Sequence, residues 1–298
     1  MIRIDEEPTS ASSSAFTFNA QPSRLFETVK SDGEYRVLLE KWGLLPDTEL
    51  LCFRFDQLYH RGMRDDFLKS LFRSDALRST MRLANGRGEL TESFPPAASV
   101  GSVTYEELTC TAVSLDMFDR LVDNQLVREA HGGGGNSESD EEDEKKPAKV
   151  ERVVQMMDVY LPCGITVSDQ LRGLFMLGEE SEFHGQYYND EEQKEFLYHV
   201  LWRLCAGGAL NQWEDNFVTL KDAARSLYKD LVCVGRDEDT DELKVLSHVM
   251  LVTEVEGVPT LYPRDDQCSP SNGNYCYVVV NPSRKEVLVW YHAFWSTF

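Results

Sequence analysis

Along the chain, apolar residues recur now at every second position and now at every third or fourth, so strands and helices should interleave. Ser31-Asp32-Gly33-Glu34 has capping-box spacing ahead of Val37, Leu38, Leu39 and Trp42, and Gly43 follows, which predicts a short helix. Leu50 to Phe55 predicts a strand, and Phe67, Leu68, Leu71 and Phe72 behind Arg64-Asp65-Asp66 predict a helix. Val100 to Val113 alternates as one or two strands, after which Ser114 is placed to cap a helix carrying Met117, Phe118, Leu121, Val122, Leu126 and Val127. Val153 to Leu161 predicts a strand, and Ser168 opens a helix through Leu171, Leu174 and Phe175. The strongest helical pattern has Asn189 as cap and Asp190, Glu191 and Glu192 in the first turn. It continues through Phe196, Leu197, Val200, Leu201 and Leu204 to a stop at Gly207-Gly208. A further helix, Leu220 to Tyr228, runs into the β-branched Leu231–Val234. Leu243–Glu254, Tyr275–Val280 and Glu286–Tyr291 then read as strands, the last two joined through Asn281-Pro282-Ser283-Arg284.

The expected class is α+β, with mixed helices and strands, a helix-rich middle and a mainly antiparallel β C-terminal part. Residues 1–20, with Ser10, Ser12, Ser13 and Ser14 and few large apolar groups, are expected to be a flexible tail. Residues 21–298 are expected to form one globular unit or two intimately packed subdomains. A Gly/acidic loop at 132–149 interrupts them: four glycines and then a run of like charges give that loop nothing to pack with. The loop carries six acids and three lysines, a balance of -3, so of the net charge of -21 about -18 belongs to the rest of the chain.

That charge repels polyanions, so neither nucleic acid nor an anionic membrane surface is an expected partner. No run of 18 uncharged apolar residues occurs, and the first fifteen residues lack the basic and apolar regions of an export signal. The seven cysteines show no CxxC pair and the six histidines no HExxH, so reduced thiols are expected and neither a metal nor a cofactor is. GxSxG, GxxxxGK[ST] and GxGxxG are all absent.

Five places remain as candidates. Phe55, Asp56, Gln57, Arg64, Asp65, Asp66 and Phe67 combine carboxylates and a cation near a strand's end, although acids opening a helix also serve its dipole. Gly207 and Gly208, followed by Gln212, Trp213, Glu214 and Asp215, offer close backbone approach and then an amphipathic contact surface, against the plainer reading of a helix stop and a buried Trp. Tyr228, Lys229 and Asp230 form a polar point at a helix end, and His292 closes a strand. Ser137 and Ser139 precede acids, as substrates of acidophilic kinases do.

Taken in order, Phe53-Arg54-Phe55-Asp56-Gln57, Arg64-Asp65-Asp66-Phe67, Gly207-Gly208-Ala209-Leu210 with Gln212 and Glu214-Asp215, Leu227-Tyr228-Lys229-Asp230-Leu231-Val232 and Tyr291-His292 resemble the cilia- and flagella-associated protein 300 family. The resemblance runs from about Gly43 to Tyr291, with Trp213 standing where the family carries a different aromatic. It implies a non-enzymatic factor for assembling outer and inner dynein arms, acting in the cytoplasm and found in the cilium or flagellum and its axoneme. The implied partners are dynein arm preassembly factors and the intraflagellar transport machinery. It supplies no catalytic residues, so the candidates above enter as contact or scaffold positions. Two other classes stay open: an enzyme using Asp56, Asp65, Asp66 or His292 in a cleft, and a structural component of the axoneme.

Overall fold

A computed structural model describes residues 16–30, 33–45, 47–85, 89–123, 126–130, 150–161, 166–208, 211–237, 239–262 and 273–293. In chain order the elements begin with β1 (Phe18–Ala20), α1 (Glu34–Lys41), β2 (Thr48–Phe55), α2 (Arg64–Arg73), α3 (Asp75–Thr80), β3 (Arg82–Ala84), β4 (Leu90–Ser93) and β5 (Val103–Leu108). They continue with α4 (Asp119–Asp123), β6 (Val127–Ala130), β7 (Val150–Val153), β8 (Gln155–Tyr160), β9 (Thr166–Asp169), α5 (Gln170–Met176), α6 (Asp190–Gln193), α7 (Phe196–Ala206) and α8 (Phe217–Leu231). The last are β10 (Val234–Arg236), β11 (Leu243–Val245), β12 (His248–Val255), β13 (Tyr275–Asn281) and β14 (Glu286–His292).

One antiparallel sheet of six strands, ordered β1-β2-β14-β13-β12-β5, divides the molecule. Its central strands carry apolar residues at consecutive positions because both faces are covered: all seven residues of β13 are buried. Tyr275, Tyr277 and Val279 of β13 and Leu288 and Trp290 of β14 face a helical layer made by α1, α4, α5, α7 and α8. The alternate residues Cys276, Val278 and Val280, with Val287, Val289 and Tyr291, face α2, α3 and the aromatic groups Phe16, Phe18 and Tyr59. The remaining strands form four two-stranded ribbons, β3-β4, β6-β7, β8-β9 and β10-β11. The mixed α+β class and the β-rich C-terminal part are as expected.

Several boundaries differ, each for a local reason. The expected tail does not extend to residue 20: Phe16 and Phe18 are buried and β1 pairs with β2, while residues 1–15 lie outside the described part. Gly33 is the N-cap of α1 and its end makes no side-chain cap; Ser31 and Asp32 lie outside the described residues. The helix expected from Met117 to Val127 is one 3-10 turn plus the short α4, because Val127 is drawn into pairing with Val153. Asp169, one residue after Ser168, caps α5 by accepting the Arg172 N–H.

Asn189 does cap a helix, through a complete capping box with Glu192, but α6 lasts one turn. It stops because Glu195 bridges to Thr109 in backbone and accepts the Thr111 N–H at 3.1 Å and hydroxyl at 2.9 Å, after which α7 starts afresh. The stretches read as single strands at 153–161 and 243–254 are each split in two. The loop 132–149 lies outside the described residues. The five described cysteines are free thiols, and among the described residues no helix is long and apolar enough to cross a membrane.

Candidate interaction site

Gly207, Gly208 and residues 211–215 form a seam between elements, and Ala209 and Leu210 lie outside the described residues. Helix α7 ends at Gly207, whose φ of +64° suits glycine, and the Gly208 N–H donates to the Trp42 carbonyl at 2.9 Å. A Cβ at Gly208 would lie 1.8 Å from the Gly43 carbonyl oxygen, so only glycine lets the chain pass this close to the end of α1. The Gln212 N–H donates to the Lys41 carbonyl at 2.8 Å. Trp213 lies beneath the Arg172 guanidinium, 4.2 Å from ring centroid to Cζ. Arg172 is itself buried, ion-paired with Asp169, and donates to the Cys205 and Glu214 carbonyls. The Glu214 carboxylate accepts from Lys41 Nζ at 3.0 Å, and the Asp215 carbonyl accepts the Val153 N–H at 2.9 Å. Most of this expected contact surface is thus turned inward, joining α1, α5, α7 and β7; Gln212 and Asp215 remain exposed.

Tyr228-Lys229-Asp230 divides in the same way. The Tyr228 hydroxyl donates to the Ala112 carbonyl at 3.0 Å and lies 3.4 Å from the Cys110 thiol; burial raises the pKa of both groups, that of Cys110 to about 12. Asp230 accepts the Glu27 and Thr28 N–H groups at 3.0 and 2.8 Å and the Thr28 hydroxyl at 2.7 Å, capping the 3-10 turn Glu27–Val29 from across the fold. Lys229 points out between them.

At the opposite face, Phe55 and Phe67 belong to the core. The Phe67 ring meets Phe16, Phe18, Phe55 and Tyr59 edge-on at centroid distances of 4.9, 5.2, 5.2 and 4.9 Å. Asp56 accepts the Thr17 hydroxyl at 2.6 Å and N–H at 3.1 Å, and the hydroxyl bond above all holds its carboxyl below the ordinary range. Asp65 accepts the Tyr105 hydroxyl at 2.7 Å, and Arg64 is ion-paired with Glu107. Gln57 and Asp66, with Thr17, Lys69, Ser70 and Asp75, line an open groove of about 880 Å³. This stretch keeps its polar groups on the surface.

His292 is elsewhere. It is buried, lies parallel to the Tyr275 ring at 5.2 Å and has Nδ1 2.5 Å from the Gly273 carbonyl; burial depresses its pKa to about 4. On β14, His292 pairs with Thr48 of β2 while Glu286 pairs with Arg54, just before Asp56. Six residues of strand, about 20 Å, therefore separate His292 from the aspartates. The cleft in which Asp56, Asp65, Asp66 and His292 would converge is not formed. Among the described residues no group of three or more His, Cys, Asp or Glu is placed to hold a metal ion. Ser137 and Ser139 lie outside the described residues.

Sequence reasoning passed over Arg203, an arginine in the apolar run of α7. It is buried, donates from Nε to the Tyr277 hydroxyl at 2.9 Å, and stacks over Trp202 at 4.0 Å and Tyr275 at 4.9 Å. His199 shares the same hydroxyl at 3.0 Å, with a pKa lowered by burial to about 3. A charged residue on the buried stripe of a helix was the available signal.

The family model described as Cilia- and flagella-associated protein 300 matches residues 15–292. The chain is similar to the Cilia- and flagella-associated protein 300 of Chlamydomonas reinhardtii, 28% identical over 269 residues that cover 89% of this chain and 93% of that protein. It is also similar to that of Paramecium tetraurelia, 27% identical over 288 residues covering 96% and 95%. No solved structure matches it.

Proposed function

The chain belongs to the cilia- and flagella-associated protein 300 family, and from that premise we propose that it assembles the outer and inner dynein arms of motile cilia and flagella without catalysing a reaction. It binds dynein arm preassembly factors in the cytoplasm and travels with the intraflagellar transport machinery into the cilium. The observation that carries this reading is how the recognisable strings are used. Gly207–Asp215 and Tyr228–Asp230 hold segments of the fold together, and Asp56, Asp65 and His292 are each bonded in separate places. Strings that hold a shape, with Asp56, Asp65 and Asp66 presented at its surface, suit a binding protein.

Disrupting the gene in a flagellated cell and viewing axonemes in cross-section tests this. The expected result is loss of both sets of arms, restored by the intact chain; axonemes with complete arms would overturn it. Extracting axonemes with detergent separates an assembly factor, which washes out, from a structural component, which stays.

A further inference from the structure

We propose that the groove beside the C-terminal end of α8 is a docking site for an acidic amphipathic segment of another protein. This deepens the reading of the chain as an interaction protein and rests on it. The groove encloses about 500 Å³, within the range of ligand sites. Its floor is the buried Leu197, Tyr228 and Val232. Its walls carry Val113, Val234 and Leu243, which are 50%, 44% and 54% exposed and share this one depression, although they come from two separate parts of the chain, the segment after β5 and the β10-β11 ribbon.

Charge selects the occupant. In a chain of net charge -21, the rim carries Arg225, Lys229 and Arg284, and no carboxylate is among the described lining residues. Asp222 holds Arg225. The side chains of Lys229 and Arg284 are exposed and make no hydrogen bond or ion pair with any described residue. Two unmatched cations above an apolar trough complement carboxylates flanking leucine- or phenylalanine-like side chains, and they repel a basic segment, which the acidic remainder of the chain would otherwise attract.

The walls are also fixed in advance. Asn281, at the start of the turn that carries Arg284, donates to the Leu231 carbonyl at 3.2 Å and accepts from Ser247, whose oxygen accepts the Cys233 N–H at 2.8 Å. Those bonds tie the β13–β14 turn to the end of α8. On the other side, Tyr228 bonded to Ala112 and Glu195 bonded to Thr111 hold the segment bearing Val113. A site whose walls need no ordering on association loses less affinity to entropy.

The test pans the immobilised full chain against displayed random 16-residue peptides. Enriched peptides are then synthesised with a fluorescent label and titrated against the wild type, Lys229→Glu/Arg284→Glu and Leu243→Asp, all at exposed positions. Enriched peptides should carry Asp or Glu around Leu, Ile or Phe. Each variant should weaken them by at least about tenfold, and the charge-reversed variant should recover affinity when their acids are replaced by Lys. Basic peptides, no enrichment, or affinities indifferent to the variants would overturn the site. So would binding seen only after residues 132–149 are removed, a dimer broken by Leu243→Asp, or retention on phosphatidylserine vesicles without a peptide preference. Arms missing from the knockout together with indifferent variants would refute the groove and leave the family role standing.

Discussion

Replacing Gly208 with alanine adds one methyl group at the seam between α7 and α1. That methyl would stand 1.8 Å from the Gly43 carbonyl oxygen and 2.6 Å from its carbon, both backbone atoms that cannot swing aside as a side chain would. Retreat is costly as well, because the Gly208 N–H bond to Trp42 and the Gln212 N–H bond to Lys41 both shorten the gap between these segments. Overpacking of this kind costs about 1–3 kcal/mol, and losing one or both backbone bonds adds about 1 kcal/mol each. The expected loss is therefore about 2–5 kcal/mol, or about 3–8 °C in melting temperature for a chain of this size. Gly185→Ala is the control: its φ of +68° disfavours alanine, but nothing lies within 4 Å, so about 1 kcal/mol is expected. Urea unfolding followed by far-UV circular dichroism measures both. Equal midpoints for the two variants would show that the close approach contributes nothing and refute the account of the seam.

Asp230→Ala strips the acceptor from two N–H groups and a hydroxyl at residues 27 and 28, and should cost about 2–4 kcal/mol while exposing that segment to limited proteolysis. Unchanged cleavage near Thr28 would count against it. His292 is held neutral, with its pKa moved from 6.5 to about 4, so the unfolded chain takes up this proton first. Its contribution is present above about pH 6.5 and is lost as the pH falls towards 4; removing it by His292→Phe should therefore favour the variant by about 2–3 kcal/mol at pH 4.5 relative to pH 7.5. The comparison with wild type is needed because Asp47 and Glu49, raised by burial to about 6 and about 7, act in the opposite direction and lose their contribution as the pH rises through that range. A variant that loses ground at acidic pH would refute the sign.

Where apolar spacing alone decides an element, the sequence was a sufficient guide: α2 with Phe67, Leu68, Leu71 and Phe72 buried, and β13 and β14 with their turn, lie where the pattern placed them. It failed where a distant segment intervenes. Nothing local announces that Glu195 will bond Thr111 and break a helix in two, or that Phe16 and Phe18 will find a place beside Phe67. The candidate residues show the same division. A glycine pair announces close approach without saying to what, and Asp230 at a helix end gives no sign that its partner lies some 200 positions earlier. The groove beside α8 was hidden because Val113, Val234 and Leu243 come together only once the chain has folded.

The strand order has a consequence for synthesis. The strands made last, β12, β13 and β14, occupy the middle of the sheet, and those made first, β1, β2 and β5, flank them. While the chain is still leaving the ribosome, β2 has only β1 to join and β5 has no neighbour, and Phe53 waits without Val287 beside it in a state that invites chaperones. A premature stop that deletes only β14 leaves β2 and β13 without their shared neighbour, so late truncating alleles should behave as complete losses.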